Sequence, residues 1–74
     1  MSSLEKKLVK LEEEIQRLEF EKEKISLEFT KAGEKNDVDE LLRLQELLDS
    51  TDLEIMEKLE EWENSEAELN TLKN

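Results

Sequence analysis

The charged side chains hold whatever chemistry this sequence has: 11 Lys and Arg and 22 Asp and Glu among 74 residues, for a net charge of -11. Cations in a row neutralise phosphates. The candidates for that role are Lys6, Lys7, Lys10, Arg17, Lys31 and Lys35. Clustered carboxylates hold hard cations. The densest cluster is Glu57, Glu60, Glu61, Glu63, Glu66 and Glu68, and it has no Gly-marked ligand loop of the calcium-binding kind. It reads as a solvated, mildly self-repelling helix surface, and no metal is expected there. The chain lacks Cys and His, so the usual nucleophile–base pairs, disulfides and ordinary zinc sites are ruled out. A single Gly rules out a phosphate-cradling glycine loop. No catalytic residue, cofactor or cofactor-binding residue is assigned.

The charges are unevenly placed. Residues 1–36 hold eight basic and nine acidic side chains, and residues 37–74 hold three and thirteen. The second half would repel a nucleic acid. Only the first half, through Lys6, Lys7 and Lys10 or through Lys31 and Lys35, could approach one. No aromatic residue interleaves with these cations for base stacking.

Such residues are useful only if something positions them. A short chain with 35% apolar residues encloses little core. The order of the residues nevertheless points to long helices. Leu4, Leu8, Leu11, Ile15, Leu18, Lys22, Ile25 and Phe29 alternate spacings of four and three, a heptad seam with Lys22 as its one polar member. Ser2 and Glu5 form a capping box in front of it. Gly33 reads as the left-handed stop, and Asp37 with Glu40 as the next start. A second seam follows: Leu41, Leu44, Leu48, Thr51, Ile55, Leu59, Trp62, Glu66 and Leu69. Its consecutive fours at Thr51, Ile55 and Leu59 amount to a stutter.

These signals predict an all-α fold, an antiparallel two-helix coiled-coil hairpin. The helices fall near residues 4–31 and 38–72, with a turn at 32–37. The expected core is Leu8, Leu11, Ile15, Leu18, Ile25 and Phe29 on the first helix. On the second it is Leu41, Leu44, Leu48, Ile55, Leu59 and Trp62. Placing Phe29 opposite Leu41 sets Lys22 opposite Leu48, Leu11 opposite Leu59 and Leu8 opposite Trp62. Leu69 and Leu72 then either overhang or face upstream sequence that would complete the first helix, and on the second alternative the chain reads as a piece of a larger protein. The pairs Glu13–Arg17, Asp39–Arg43 and Glu54–Lys58 are spaced for ion pairs along each helix. Lys22 is expected to carry its ammonium to the edge of the seam. Val9, Phe20, Leu27, Leu42, Leu47, Leu53 and Met56 lie off the seams; scattered, they are ordinary surface residues, and as a contiguous stripe they would serve self-association or a partner. There is no apolar run long enough to span a membrane.

The seam residues also resemble the C-terminal coiled-coil domain of ABC-F proteins, ATP-binding cassette ATPases without a membrane domain. Leu8, Leu11, Ile15, Leu18-Glu19, Glu21, Ile25 and Phe29 match the spacing of that family's first helix. Ile55, Leu59 and Trp62-Glu63 match the end of its second, with Leu59 where Tyr is common. The turn departs from the family in lacking Pro and an aromatic residue, and no basic linker precedes the first helix. The resemblance implies a non-catalytic accessory module in the cytoplasm. It would help a parent ATPase engage DNA or the ribosome, and it would contact that parent's cassette domains. A homo-oligomer or a generic protein-interaction adaptor is the other reading of the same pattern.

Overall fold

The first donors of the first helix are satisfied by Ser2, whose Oγ accepts the Glu5 amide at 3.2 Å and donates to the Glu5 carboxylate at 3.1 Å. The computed structural model, which describes residues 2–73, has α1 from Ser3 to Glu34 and α2 from Val38 to Lys73. Its long dimension is 56 Å, and the others are 16 and 13 Å. No helix among the described residues is long and apolar enough to cross a membrane.

The reversal is tighter and later than the sequence signals predict. The left-handed residue is Asn36 at φ 56°, not Gly33, which lies inside α1. Asn tolerates this conformation because its short polar side chain can bond locally. The Asp37 amide donates to the Ala32 carbonyl at 3.0 Å, and the Asn36 amide to the Gly33 carbonyl at 3.1 Å. This is the Schellman arrangement, with Asn36 in the place glycine usually takes. Asp37 then starts α2 directly, its Oδ1 accepting the Glu40 amide at 3.2 Å. Three residues therefore connect the helices, and α1 runs about one turn further than expected.

That extra turn moves the register. Lys22 Nζ lies 2.6 Å from Asp52 Oδ1, Lys58 Nζ 3.0 Å from Glu14 Oε2, and Trp62 Nε1 3.1 Å from Glu12 Oε1. A methyl group added at Gly33 would sit 3.9 Å from Leu41. Compared with the expected pairing, α2 is slid by about three residues. Ala32, rather than Phe29, is level with Leu41, and Ala32 is buried. Trp62 lies level with Leu11 and Glu12, rather than with Leu8. Leu69 reaches the level of Leu4 and both are half-buried, so the expected overhang shrinks to the last turn.

The slide also regularises the second seam. Leu41, Leu44, Leu48, Thr51, Ile55, Lys58, Trp62, Ser65 and Leu69 are all buried or half-buried, at alternating spacings of three and four. The expected stutter is absent. Leu59, predicted as core, is 41% exposed, whereas Ser65, absent from the expected seam, is 3% exposed. The physical reason is continuity. A coiled coil keeps one straight seam only if the seven-residue repeat is unbroken. Lys58 can occupy a seam position by packing its stem inward and carrying its ammonium to Glu14. The other expected core residues sit on the seam: Leu11, Ile15, Leu18, Leu44 and Ile55 are buried, and Leu8, Ile25, Phe29, Leu41, Leu48 and Trp62 are half-buried.

Candidate functional site

Two straight seams leave the hairpin with two flanks, one on each side of the helix–helix contact. The flanks differ in chemistry. On the first, α1 presents Lys10, Arg17, Lys24 and Lys31 at intervals of seven residues, with Lys7 and Lys35 beside them. These cations are exposed. Arg17 is committed to Glu21, with Nη1 to Oε1 at 3.0 Å. Lys24 stands over the Phe20 ring, 4.8 Å from its centroid, where the ring face attracts it. At the turn, Lys31 and Lys35 line a shallow groove of about 280 Å3 with Glu28, Asp37, Glu40 and Arg43. Arg43 donates two bonds to the Glu40 carboxylate, from Nε at 3.0 Å and from Nη2.

Of the six cations proposed for phosphate contact, five lie along this flank and Lys6 lies on the outer face of α1. They are strung along the helix rather than gathered. Lys24 belongs to the same stripe and escaped the sequence reading, although its signal was present: the four cations repeat at the heptad period. Residue-type clustering misses such a stripe because its members are far apart in sequence.

The expected ion pairs along the helices do not form. Arg17 pairs with Glu21 instead of Glu13, Arg43 with Glu40 instead of Asp39, and Lys58 with Glu14 instead of Glu54. Lys58 takes a partner across the interface because the seam position aims it there. Its hydrogen bond to Glu14 holds the Glu14 carboxyl below the ordinary glutamate range, against the cost of partial burial. The same bond raises Lys58 above the ordinary lysine range. Glu40 is likewise lowered by its bond to Arg43, and Arg43 is raised.

The second flank has no counterpart to the basic stripe. It carries an apolar groove of about 270 Å3 between the helices, lined by Glu12, Ile15, Gln16, Leu59 and Trp62. The indole N–H donates to Glu12, which fixes the ring across the groove. Leu59, which the unbroken repeat leaves beside the seam, forms the α2 wall of the groove. Beyond Trp62 the surface continues over Glu63, Glu66, Ala67 and Asn70. The outer faces add large apolar residues in water, Phe20 at 60% and Leu27 at 62% exposure on α1 and Leu53 on α2, and the exposed Leu42 and Met56 lie on the second flank, at the heptad position of Asp49 and Glu63.

Fold and surface together define an antiparallel coiled-coil hairpin with one basic-striped and one acidic flank. No protein-family model, curated protein or solved structure matches the chain.

Proposed function

We propose that this hairpin is a non-catalytic coiled-coil module that works by protein–protein contact. The observation that carries the reading is the set of apolar side chains outside the seam. Phe20 and Leu27 project from α1, and Leu42, Leu53 and Met56 from α2, all of them more than half exposed. Scattered apolar residues are normal on a surface. Here they accompany a narrow seam whose buried apolar residues, among the described residues, are only Leu11, Ile15, Leu18, Ala32, Leu44 and Ile55, which is little for a chain of this size. A partner that covers them adds burial that the hairpin lacks alone. A diazirine analogue of leucine placed at position 27 tests this. Protein adducts that disappear in Phe20→Ser support the reading, and adducts formed only with nucleic acid reject it.

The cation stripe favours a second reading, the accessory module of an ABC-F-type ATPase on nucleic acid or the ribosome. Lys7, Lys10, Lys31 and Lys35 make no ion pair among the described residues and face one side. Binding on these four charges alone is weak and falls steeply with salt. Anisotropy titrations of duplex DNA and structured RNA decide it. Affinity tighter than about micromolar at physiological salt, lost in Lys31→Gln with Lys35→Gln, supports this reading over the first.

A further inference from the structure

We infer that the acidic flank, centred on the groove between Ile15, Leu59 and Trp62, is the docking surface for a basic amphipathic helix of a partner protein. This rests on the protein-contact reading above and names the partner's chemistry. Three observations converge on it.

The first is the groove. Ile15, Leu59 and Trp62 form its apolar lining, and Trp62 is held in place by its bond to Glu12. An indole already held by a hydrogen bond presents its area at a reduced ordering cost on binding. Leu59, displaced from the seam yet only 41% exposed, supplies the other wall. The groove is open to solvent and about one helical turn long, a seat for an apolar anchor of a helix laid across it.

The second is the sign of the charge around it. The flank positions of α1 hold Glu5, Glu12, Glu19 and Glu23, and those of α2 hold Asp49, Asp52, Glu63 and Glu66. No lysine or arginine occupies a flank position between Glu5 and Glu66 on this side. Lys22, on the seam, reaches over to Asp52 and is spent there. The flanks differ in their cations and not in their carboxylates: α1 carries its cations at heptad spacing on the opposite side, where they stand among Glu14, Glu21 and Glu28, so the segregation is not a by-product of composition. An occupant must therefore bring positive charge around an apolar stripe. Potentials of opposite sign steer encounter and exclude acidic competitors.

The third is length. Glu5 to Glu23 spans about 27 Å at the helical rise, the reach of a helix of about five turns. A third helix there would complete a three-helix bundle and cover Leu59 and Trp62. An extended peptide would leave its own backbone groups unpaired against two helices, which offer no strand edge.

Trp62 is the only tryptophan and lies in the groove, so its emission reports occupancy directly. The probe is an 18-residue helix of Leu and Lys in amphipathic order, free of aromatic residues. The expected result is a saturable blue shift with the Leu/Lys peptide. Leu59→Gln weakens binding at least about tenfold while lowering the melting temperature by no more than a few degrees. Glu63→Gln with Glu66→Gln weakens it too, whereas Glu54→Gln with Glu57→Gln, on the basic flank with the same change in net charge, does not.

Three outcomes overturn the inference. One is equal binding of a Lys/Ser peptide with no apolar stripe. Another is an equal effect of the two Glu→Gln pairs, which would mean that only net charge matters. The third is a blue shift that grows with the protein's own concentration before any peptide is added, which would make a second copy the occupant. None of the three bears on adducts at position 27, which lies on the outer face, so the broader reading stands or falls separately.

Discussion

α1 and α2 lay down seams of equal length from different material. The α1 seam is apolar except for Lys22. The α2 seam includes Thr51, Lys58 and Ser65, and Thr51 and Ser65 are buried. α1 is close to neutral and α2 carries nearly all the excess negative charge. The difference shows what a coiled coil requires of each strand. The unbroken heptad period outranks the hydrophobicity of any single residue, so a lysine and a serine sit on the seam while Leu59 stands outside it. Apolar positions on α1 tolerate these partners because Lys58 reaches solvent and Ser65 is small.

The sharpest way to break that comparison is to truncate one leucine on the α2 seam and one beside it. Leu44 is 1% exposed. Leu44→Ala removes a buried side chain and leaves a cavity, at a cost of about 2–4 kcal/mol. Leu59→Ala costs less than about 1 kcal/mol, because much of its surface is already in water. Urea titration of the two variants checks this. Equal losses would return Leu59 to the seam and restore the stutter.

Much of this was legible in the sequence. The fold class, both helices and both capping serine and aspartate signals follow from spacing and residue type. The first seam was readable from Leu4 to Phe29 because its residues are apolar at nearly every step; only Ala32, expected in the turn, was missed. The second was misread at Leu59 and Glu66, because hydrophobicity was followed where the period pointed to Lys58 and Ser65. The register error has a related cause: Gly33 carries the stronger stop signal, but the chain turns at Asn36. Glycine's permissiveness does not compel it to use a left-handed conformation, and Gly33 remains helical. The flanks were the least legible part. They emerge only after the seam is fixed, since a shift of one position moves every charge to another face.

The turn offers the next test. Gly33→Ala places a methyl group at ordinary contact distance from Leu41, 3.9 Å away. With helical geometry already in place, the substitution should stabilise the hairpin by about 0.5–1 kcal/mol. Asn36→Ala should destabilise it by about 1 kcal/mol, since alanine resists the left-handed region. If Gly33 were the left-handed residue, the two signs would exchange. Thermal melts of both variants read the answer.

Smaller effects come from the polar seam residues. Lys22→Leu exchanges an exposed ion pair, worth about 0–1 kcal/mol, for added apolar burial at a half-buried position, and the melting temperature should rise by a few degrees. Thr51→Val should also raise it, by removing a hydroxyl from the α2 seam. A double-mutant cycle of Lys22→Leu with Asp52→Asn should give a coupling below about 1 kcal/mol. A larger coupling would make Lys22 a register-setting residue and not a tolerated one.

The subtlest contrast lies between an ion pair that joins the helices and one that stays within α2. Glu14 is lowered in the folded state by its bond to Lys58. Its contribution is therefore present above the unfolded glutamate range and lost as pH falls through the lowered value. Lys58 is raised by the same bond, so its contribution is present below the unfolded lysine range and lost as pH rises through the raised value. The gap in melting temperature between the native chain and Glu14→Gln should thus be widest between these limits and close at both. Glu40 is also lowered, by Arg43, but arginine keeps its charge at any accessible pH. The gap for Glu40→Gln should close only on the acid side. An acid-only profile for Glu14→Gln would mean that Lys58 does not hold Glu14 across the interface, and the case for Lys58 as a seam residue would lose its anchor.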